Sequence, residues 1–270
     1  LRDQKPVLLD FVFTGWGQKF EAGLDNQITP LLAQKLLKSI TLQSDQDFEW
    51  IVVDGNSTDG TADLFEGYSD RITHLISEPD DGIYDAMNKG IELATGEITG
   101  NLNADDWYAH SGVLSQVANT FSADESIDAV YGDIVYVTRK QPHNIVRYWE
   151  SCSYHDGLFE KGWMPAHPSF FVKREMYSRY GKFDLDLKIQ SDFELTMRLI
   201  AINRIKTRYL PGVMVKMRMG GVTNNRISNV IKGNLEAYTA CRKNGLAVTP
   251  LFMVRKILSR LPQFFRKPRH

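Results

Sequence analysis

Cysteine is nearly missing from this sequence. Cys152 and Cys241 are the only two in 270 residues, and their spacing fits neither a disulfide framework nor a metal-ligand motif. They read as ordinary buried thiols of a reducing compartment. No apolar run approaches the roughly 18 residues that a membrane span requires. The first residues carry no secretory signal. Net charge is lacking too: 32 basic side chains face 33 acidic ones, which gives no reason to expect a nucleic-acid partner. No internal repeat, low-complexity stretch or Pro/Gly/Ser-rich linker divides the chain. What is present is a hydrophobic content of 43%, enough for a sizeable core in one large domain, or in one domain with a small addition. The charge that exists is unevenly spread. Residues 249–270 hold six basic side chains and no acidic one, leaving 26 basic against 33 acidic, a net of −7, in the first 248.

Periodicity predicts the elements. Leu32, Leu36, Leu37 and Ile40 recur at helical spacing behind Pro30, giving a helix over 30–43. Phe48–Asp54 is a short apolar run, a buried parallel strand ending at Asp54. Gly55–Gly60 is a turn in which Thr58 or Asp59 can cap a helix over 60–67. A strand over 71–77, a helix over 82–95 and a strand over 97–102 follow, the last running into Asn103-Ala104-Asp105-Asp106. Next come a helix over 112–121 and a strand over 129–137 that opens at a Tyr131-Gly132-Asp133 turn. This alternation implies an α/β fold, a mostly parallel central sheet with helices on both faces. Such sheets bind ligands at the carboxyl ends of their strands, where Asp54 and Asp105-Asp106 fall. The second half is less regular. Residues 155–167 read as loop, 169–172 as a strand and 174–180 as a helix. Ser191-Asp192-Phe193-Glu194 has a capping-box pattern that opens a helix to about Ile202. A strand over 209–217 and a long helix over 225–244 complete the pattern.

Five constellations can carry chemistry, and each has an ordinary explanation when taken alone. Asp105-Asp106 can be a solvated turn, yet adjacent carboxylates at a strand end suit a hard divalent ion completed by phosphate oxygens. Asp54 can simply end its strand. Asp192 can simply favour the positive end of a helix dipole. Asp85 and Asn88 share a helical face and can reach a ligand or a solvent network. His167, before Pro168, can be structural.

The order of these stretches changes their meaning. Phe48–Thr61 (FEWIVVDGNSTDGT), Glu78–Gly96 (EPDDGIYDAMNKGIELATG), Leu102–Trp107 (LNADDW) and Tyr180–Leu199 (YGKFDLDLKIQSDFELTMRL) together resemble family 2 inverting glycosyltransferases of GT-A fold. The Gly82–Gly90 run is similar to a bacterial subgroup that builds surface polysaccharides. The resemblance covers roughly residues 31–225 and implies roles. Asp54, Asp85, Asn88 and Asp105 would bind the nucleotide-sugar, expected to be UDP-linked. Asp106 would hold a metal ion, Mg2+ or Mn2+. Asp192 would be the catalytic base. His167, Gly220 and Gly221 would lie on the side of the acceptor, a glycan or lipid-linked hydroxyl.

Two departures accompany the resemblance. Gly55 stands where many relatives carry a second acidic residue. Val7–Phe13 can be the family's first strand, ending at Thr14-Gly15 with residues 16–29 as an insertion; alternatively that strand is degraded or replaced. The expected organisation is a GT-A-like domain over 1–224, atypical over 1–30, and a helical extension over 225–270. In the tail, Leu251–Phe265 mixes apolar and basic residues, suiting either an anionic membrane surface or packing on the chain itself. A cytoplasmic place, peripheral to the inner face of the cell membrane, is the matching expectation. A sugar nucleotidyltransferase would need a Gly-rich phosphate loop with Arg or Lys near its first strand, and none appears. The remaining alternative is a catalytically impaired GT-A-like sugar-nucleotide-binding protein.

Overall fold

A computed structural model describes residues 9–16, 28–44, 47–58, 60–138, 144–219 and 227–268. In chain order the elements are β1 (Leu9–Trp16), α1 (Ile28–Thr41), β2 (Phe48–Asp54), α2 (Thr61–Glu66), β3 (His74–Ser77), α3 (Ile83–Leu93), β4 (Ile98–Asn103), β5 (Asp106–Tyr108) and α4 (Val113–Ala123). They continue with β6 (Ala129–Val137), β7 (Ile145–Trp149), β8 (Phe171–Lys173), α5 (Arg174–Tyr180), α6 (Ser191–Met197), β9 (Thr207–Arg218), α7 (Ile227–Lys243) and α8 (Leu251–Leu258). Contacts gather the chain into two compact units. The first is Leu1–Ser126 with Phe171–Arg179, and the second is Ile127–Phe170 with Tyr180–His270.

Five of the described strands of the first unit lie side by side in the order β3-β2-β1-β4-β8. The first four run parallel, and β8 is antiparallel to β4. Ile51, Val52, Val53 and Asp54 of β2 are all buried, as a strand covered on both faces must be. Winding runs from β1 to β2 to β3 in one direction, then returns across β1 to β4. Right-handed crossovers put α1 and α2 on one face and α3 on the other; α1 packs on α2, and α3 on β1 and β2. The reversal lies between β1 and β4, where open α/β sheets bind ligands. At that carboxyl edge Thr14 pairs with Asn103 and Trp16 with Asp54. β1 overlaps the expected Val7–Phe13 strand but runs on through Thr14-Gly15 to Trp16, paired with both β2 and β4.

In the second unit β6 lies between antiparallel β7 and parallel β9, and all nine of its residues are buried. Tyr131-Gly132-Asp133 is not a turn before the strand but part of it. A Cβ on Gly132 would meet Met214 Sδ at 2.3 Å and the Leu210 carbonyl at 3.1 Å, so β9 bulges here against bare backbone. The buried Asp133 carboxylate accepts the hydroxyls of Tyr148 (2.6 Å) and Tyr209 (2.8 Å) and the Ser151 N–H (2.8 Å), binding three segments together. Burial, with the hydrogen bond to Asp133 and its charge, pushes the Tyr209 phenol up. β7 was not anticipated because its outward residues are apolar: Ile145 and Val146 are exposed, so no alternation marks it. Both cysteines are free thiols, Cys241 buried and Cys152 half-buried.

Candidate active site

The first unit brings the expected donor residues to its carboxyl edge. Asp54 ends β2 fully buried, and its carboxylate accepts the Ser57 N–H (3.0 Å), the Ser57 hydroxyl (2.5 Å) and the Ser77 hydroxyl (2.6 Å). It thereby shapes the loop after β2, in which Asn56 holds a left-handed φ of 64°. The helix that follows is capped by Gly60, with no side-chain cap, rather than by Thr58.

Asn103 ends β4, and its amide donates to Asp106 Oδ2 at 3.1 Å. Asp106 is fully buried, and Asp105 is half-buried. Asn103 Oδ1 is buried and, among the described residues, has no hydrogen-bond partner. The carboxylate of Asp106 and the amide oxygen of Asn103 are both hard donors. No group of three His, Cys, Asp or Glu able to hold a metal occurs among the described residues. Mg2+ commonly takes one or two carboxylates and completes its shell with phosphate and water, and Asp106 with the Asn103 oxygen could supply that protein share. Asp85 is partly engaged by the chain: it accepts the Asp81 N–H (3.1 Å) and pairs with Lys89 (3.4 Å), which also meets Glu78 (2.7 Å). Asn88, one turn further along α3, is buried.

The second unit holds Asp192 and His167. Ser191 is not the cap of α6 but its first residue; Gln190 is the cap residue and makes no side-chain cap bond. Glu194 does not reach back either. It pairs with Arg198 (2.8 Å) and accepts the Asn244 amide (3.0 Å), while Arg198 also donates to the carbonyls of Gly181 and Lys182. Asp192 stays half-exposed, and one of its oxygens accepts the N–H of Phe193 (2.8 Å). His167 opens a single 3-10 turn over residues 167–169, its ring edge-on to Phe183. Its Nε2 is buried with no hydrogen-bond partner among the described residues. Burial pushes the imidazole below its ordinary range, and the Asp192 charge works against that shift. Gly220 and Gly221 lie outside the described residues.

Sequence reasoning missed Lys256. Counted with the basic tail, it is 1% exposed, with its ammonium 4.3 Å from the centroid of the Phe193 ring and donating to Gln190 Oε1. The signal was there: Lys256 falls four residues after Phe252, on the apolar face of α8.

A doubly wound sheet, with carboxylates at its switch point, and a second unit carrying a helix-opening aspartate define an α/β fold of the GT-A type. The mannosyltransferase PcManGT from Pyrobaculum calidifontis, in complex with GDP-Man and Mn2+, matches with a TM-score of 0.61 at 22% identity, over 96% of this chain and 70% of that one. S. aureus TarS 1-349 in complex with UDP-GlcNAc matches with a TM-score of 0.60 at 16% identity, over 86% of this chain and 65% of that one. The chain thus spans slightly less than two thirds of that TarS chain, and these likenesses speak for fold alone. The chain belongs to glycosyl transferase family 2, whose family model matches residues 30–181, more than half its length. The PGL/p-HBAD biosynthesis glycosyltransferase of Mycobacterium tuberculosis is 30% identical over 192 residues, 70% of this chain and 72% of that protein.

Proposed function

We propose that the chain transfers a sugar from a nucleoside-diphosphate sugar, UDP-linked by preference, to a hydroxyl of a glycan or lipid-linked acceptor of surface polysaccharide synthesis, inverting the anomeric centre. The observation that carries this reading is the Asp105-Asp106 pair at the carboxyl edge, beside the reversal of the sheet. Solved neighbours of the same fold contain UDP-GlcNAc, and GDP-Man with Mn2+, which supports a nucleotide-sugar and a divalent ion here.

Asp106, with the Asn103 oxygen beside it, would hold Mg2+ or Mn2+, and Asp105 would contact the nucleotide. Bound there, the ion supplies positive charge against the leaving diphosphate. Asp54 keeps the loop after β2 in shape for the nucleotide, and Asp85 and Asn88 line the start of α3. Asp192 accepts the proton of the acceptor hydroxyl as its oxygen forms the new bond to the anomeric carbon. The old bond breaks with its electron pair leaving on the diphosphate, so attack from the opposite side inverts the centre. His167, kept neutral by burial, adds no competing cation beside that base. Thermal shift with UDP-glucose, UDP-GlcNAc and GDP-mannose, with and without Mn2+, tests the donor half. A stabilising shift that needs Mn2+ and disappears in Asp106→Asn is expected; an equal shift in that variant rejects Asp106 as ligand. Sugar-nucleotide binding without any Mn2+-dependent turnover would favour the impaired binding protein instead.

The tail supports a peripheral membrane role. Leu251, Val254, Ile257, Leu258, Leu261 and Phe264 are each about half exposed, Phe265 is 86% exposed, and Arg255, Arg266 and Lys267 stand among them. A basic helix with an exposed apolar ridge suits an anionic lipid surface. Among the described residues, no helix is long and apolar enough to cross a membrane. Other parts of the same segment pack on the second unit: Phe252 and Lys256 are buried, and Gln263 and Phe264 meet Arg147.

A further inference from the structure

A lysine ammonium out of water is expensive unless something there needs it. Lys256 is buried from α8 so that its Nζ meets the residues on either side of Ser191-Asp192: it donates to Gln190 Oε1 and lies over the Phe193 ring. From α7, Glu236 Oε2 accepts two successive backbone N–H groups of the same segment, Ile189 (2.8 Å) and Gln190 (3.1 Å). Gly233, one turn before Glu236, lets that segment approach closely: a Cβ there would lie 3.1 Å from Ile189 Cγ2. On the other side, Gly162 holds a φ of 84°, and a Cβ on it would meet Cα and Cβ of Lys256 at 2.5 Å, so α8 is seated against bare backbone. Phe193, under the ammonium, gives its own N–H to Asp192. The charged and titratable groups facing Lys256 are Asp192 of α6, Glu236 and Cys241 of α7, and Arg260 just beyond α8.

We infer that Lys256 and Glu236 are positioning residues, which hold the amino end of α6 so that the Asp192 carboxylate keeps its working orientation. This rests on Asp192 being the base. It makes the C-terminal helices part of the transferase machinery rather than an appendage. Lys256 touches Gln190 and Phe193, not substrate, so its effect passes through the set of the helix end. Misplacing a catalytic group by a fraction of an ångström lowers turnover without disturbing the binding of a donor held elsewhere.

The test uses the full chain with Lys256→Met, Gln190→Met, their combination, Glu236→Gln and Asp192→Asn. Release of nucleoside diphosphate is followed with Mn2+, using whichever of UDP-glucose, UDP-GlcNAc and GDP-mannose the unaltered chain turns over fastest. Each positioning variant is expected to lose about tenfold or more in kcat with the KM for the sugar nucleotide unchanged. The combination should be no worse than either single change, because both remove one hydrogen bond. The thermal midpoint of Lys256→Met should stay at or above that of the unaltered chain. Full turnover in Lys256→Met beside an inactive Asp192→Asn overturns the positioning role alone. An active Asp192→Asn overturns the base, and this inference with it. Losses of kcat that track a lowered thermal midpoint mark mere structural braces and also overturn it.

Discussion

The Ser77 hydroxyl donates to Asp54 Oδ2 at 2.6 Å, so the last residue of β3 is tied to the last residue of β2. With both Ser57 bonds, the buried carboxylate has three donors, all from the protein. Asp54→Ala should cost about 2–4 kcal/mol, because the removed acceptor leaves buried donors unmet. Ser77→Ala should cost about 1 kcal/mol. Urea unfolding of both variants checks the ranking, and a smaller loss in Asp54→Ala than in Ser77→Ala would contradict it.

His167 gives an acid-side prediction. Its folded-state pKa lies below the ordinary value of 6.5, chiefly through burial. As pH falls, the unfolded chain takes up the proton before the folded chain does, so its contribution is whole above about pH 6.5 and shrinks below it. His167→Leu should flatten the fall in Tm between about pH 6.5 and 5. An unchanged slope would show that other groups set it.

Lys256 gives the opposite window. Burial brings its pKa from 10.5 down to about 7, with Arg260 adding to the shift. Between those values the unfolded chain binds a proton that the folded chain does not, so this lysine makes stability climb with pH from about 7 to 10.5. Unfolding midpoints across that range should climb less in Lys256→Met, while below pH 6 the midpoints of the two proteins change in parallel.

The tail prediction avoids truncation, since cutting at residue 248 would remove the buried Phe252 and Lys256 as well. Leu258→Ser with Phe265→Ser changes only exposed positions. It should reduce flotation with anionic liposomes by about tenfold, from the loss of apolar contact. Equal flotation of both proteins would end the membrane reading.

The sheet of the first unit was legible because β2 and β4 are buried runs bounded by turns, and because Asp54 and Asp105-Asp106 sit where those strands end. The amino end of α6 was not. Ser191 and Glu194 have capping-box spacing, but Arg198 and Asn244 claim Glu194, and no three-residue spacing can announce a partner 50 residues downstream. Tyr131-Gly132-Asp133 was misread for a similar reason. Gly and Asp favour turns locally, whereas the close approach of Met214 and the two tyrosine hydroxyls on Asp133 come from other strands. The burial of Lys256 was hidden inside a count of charges.

Gln190 is joined to Glu236 across 46 residues and to Lys256 across 66. Contacts closed over such distances form late during folding and open early when a chain end frays. If Lys256 positions the amino end of α6, loosening α8 would loosen that helix end while the buried strand β6 still holds. Turnover should then fall at a lower temperature than the helical and strand signal does, and coincident transitions would contradict it.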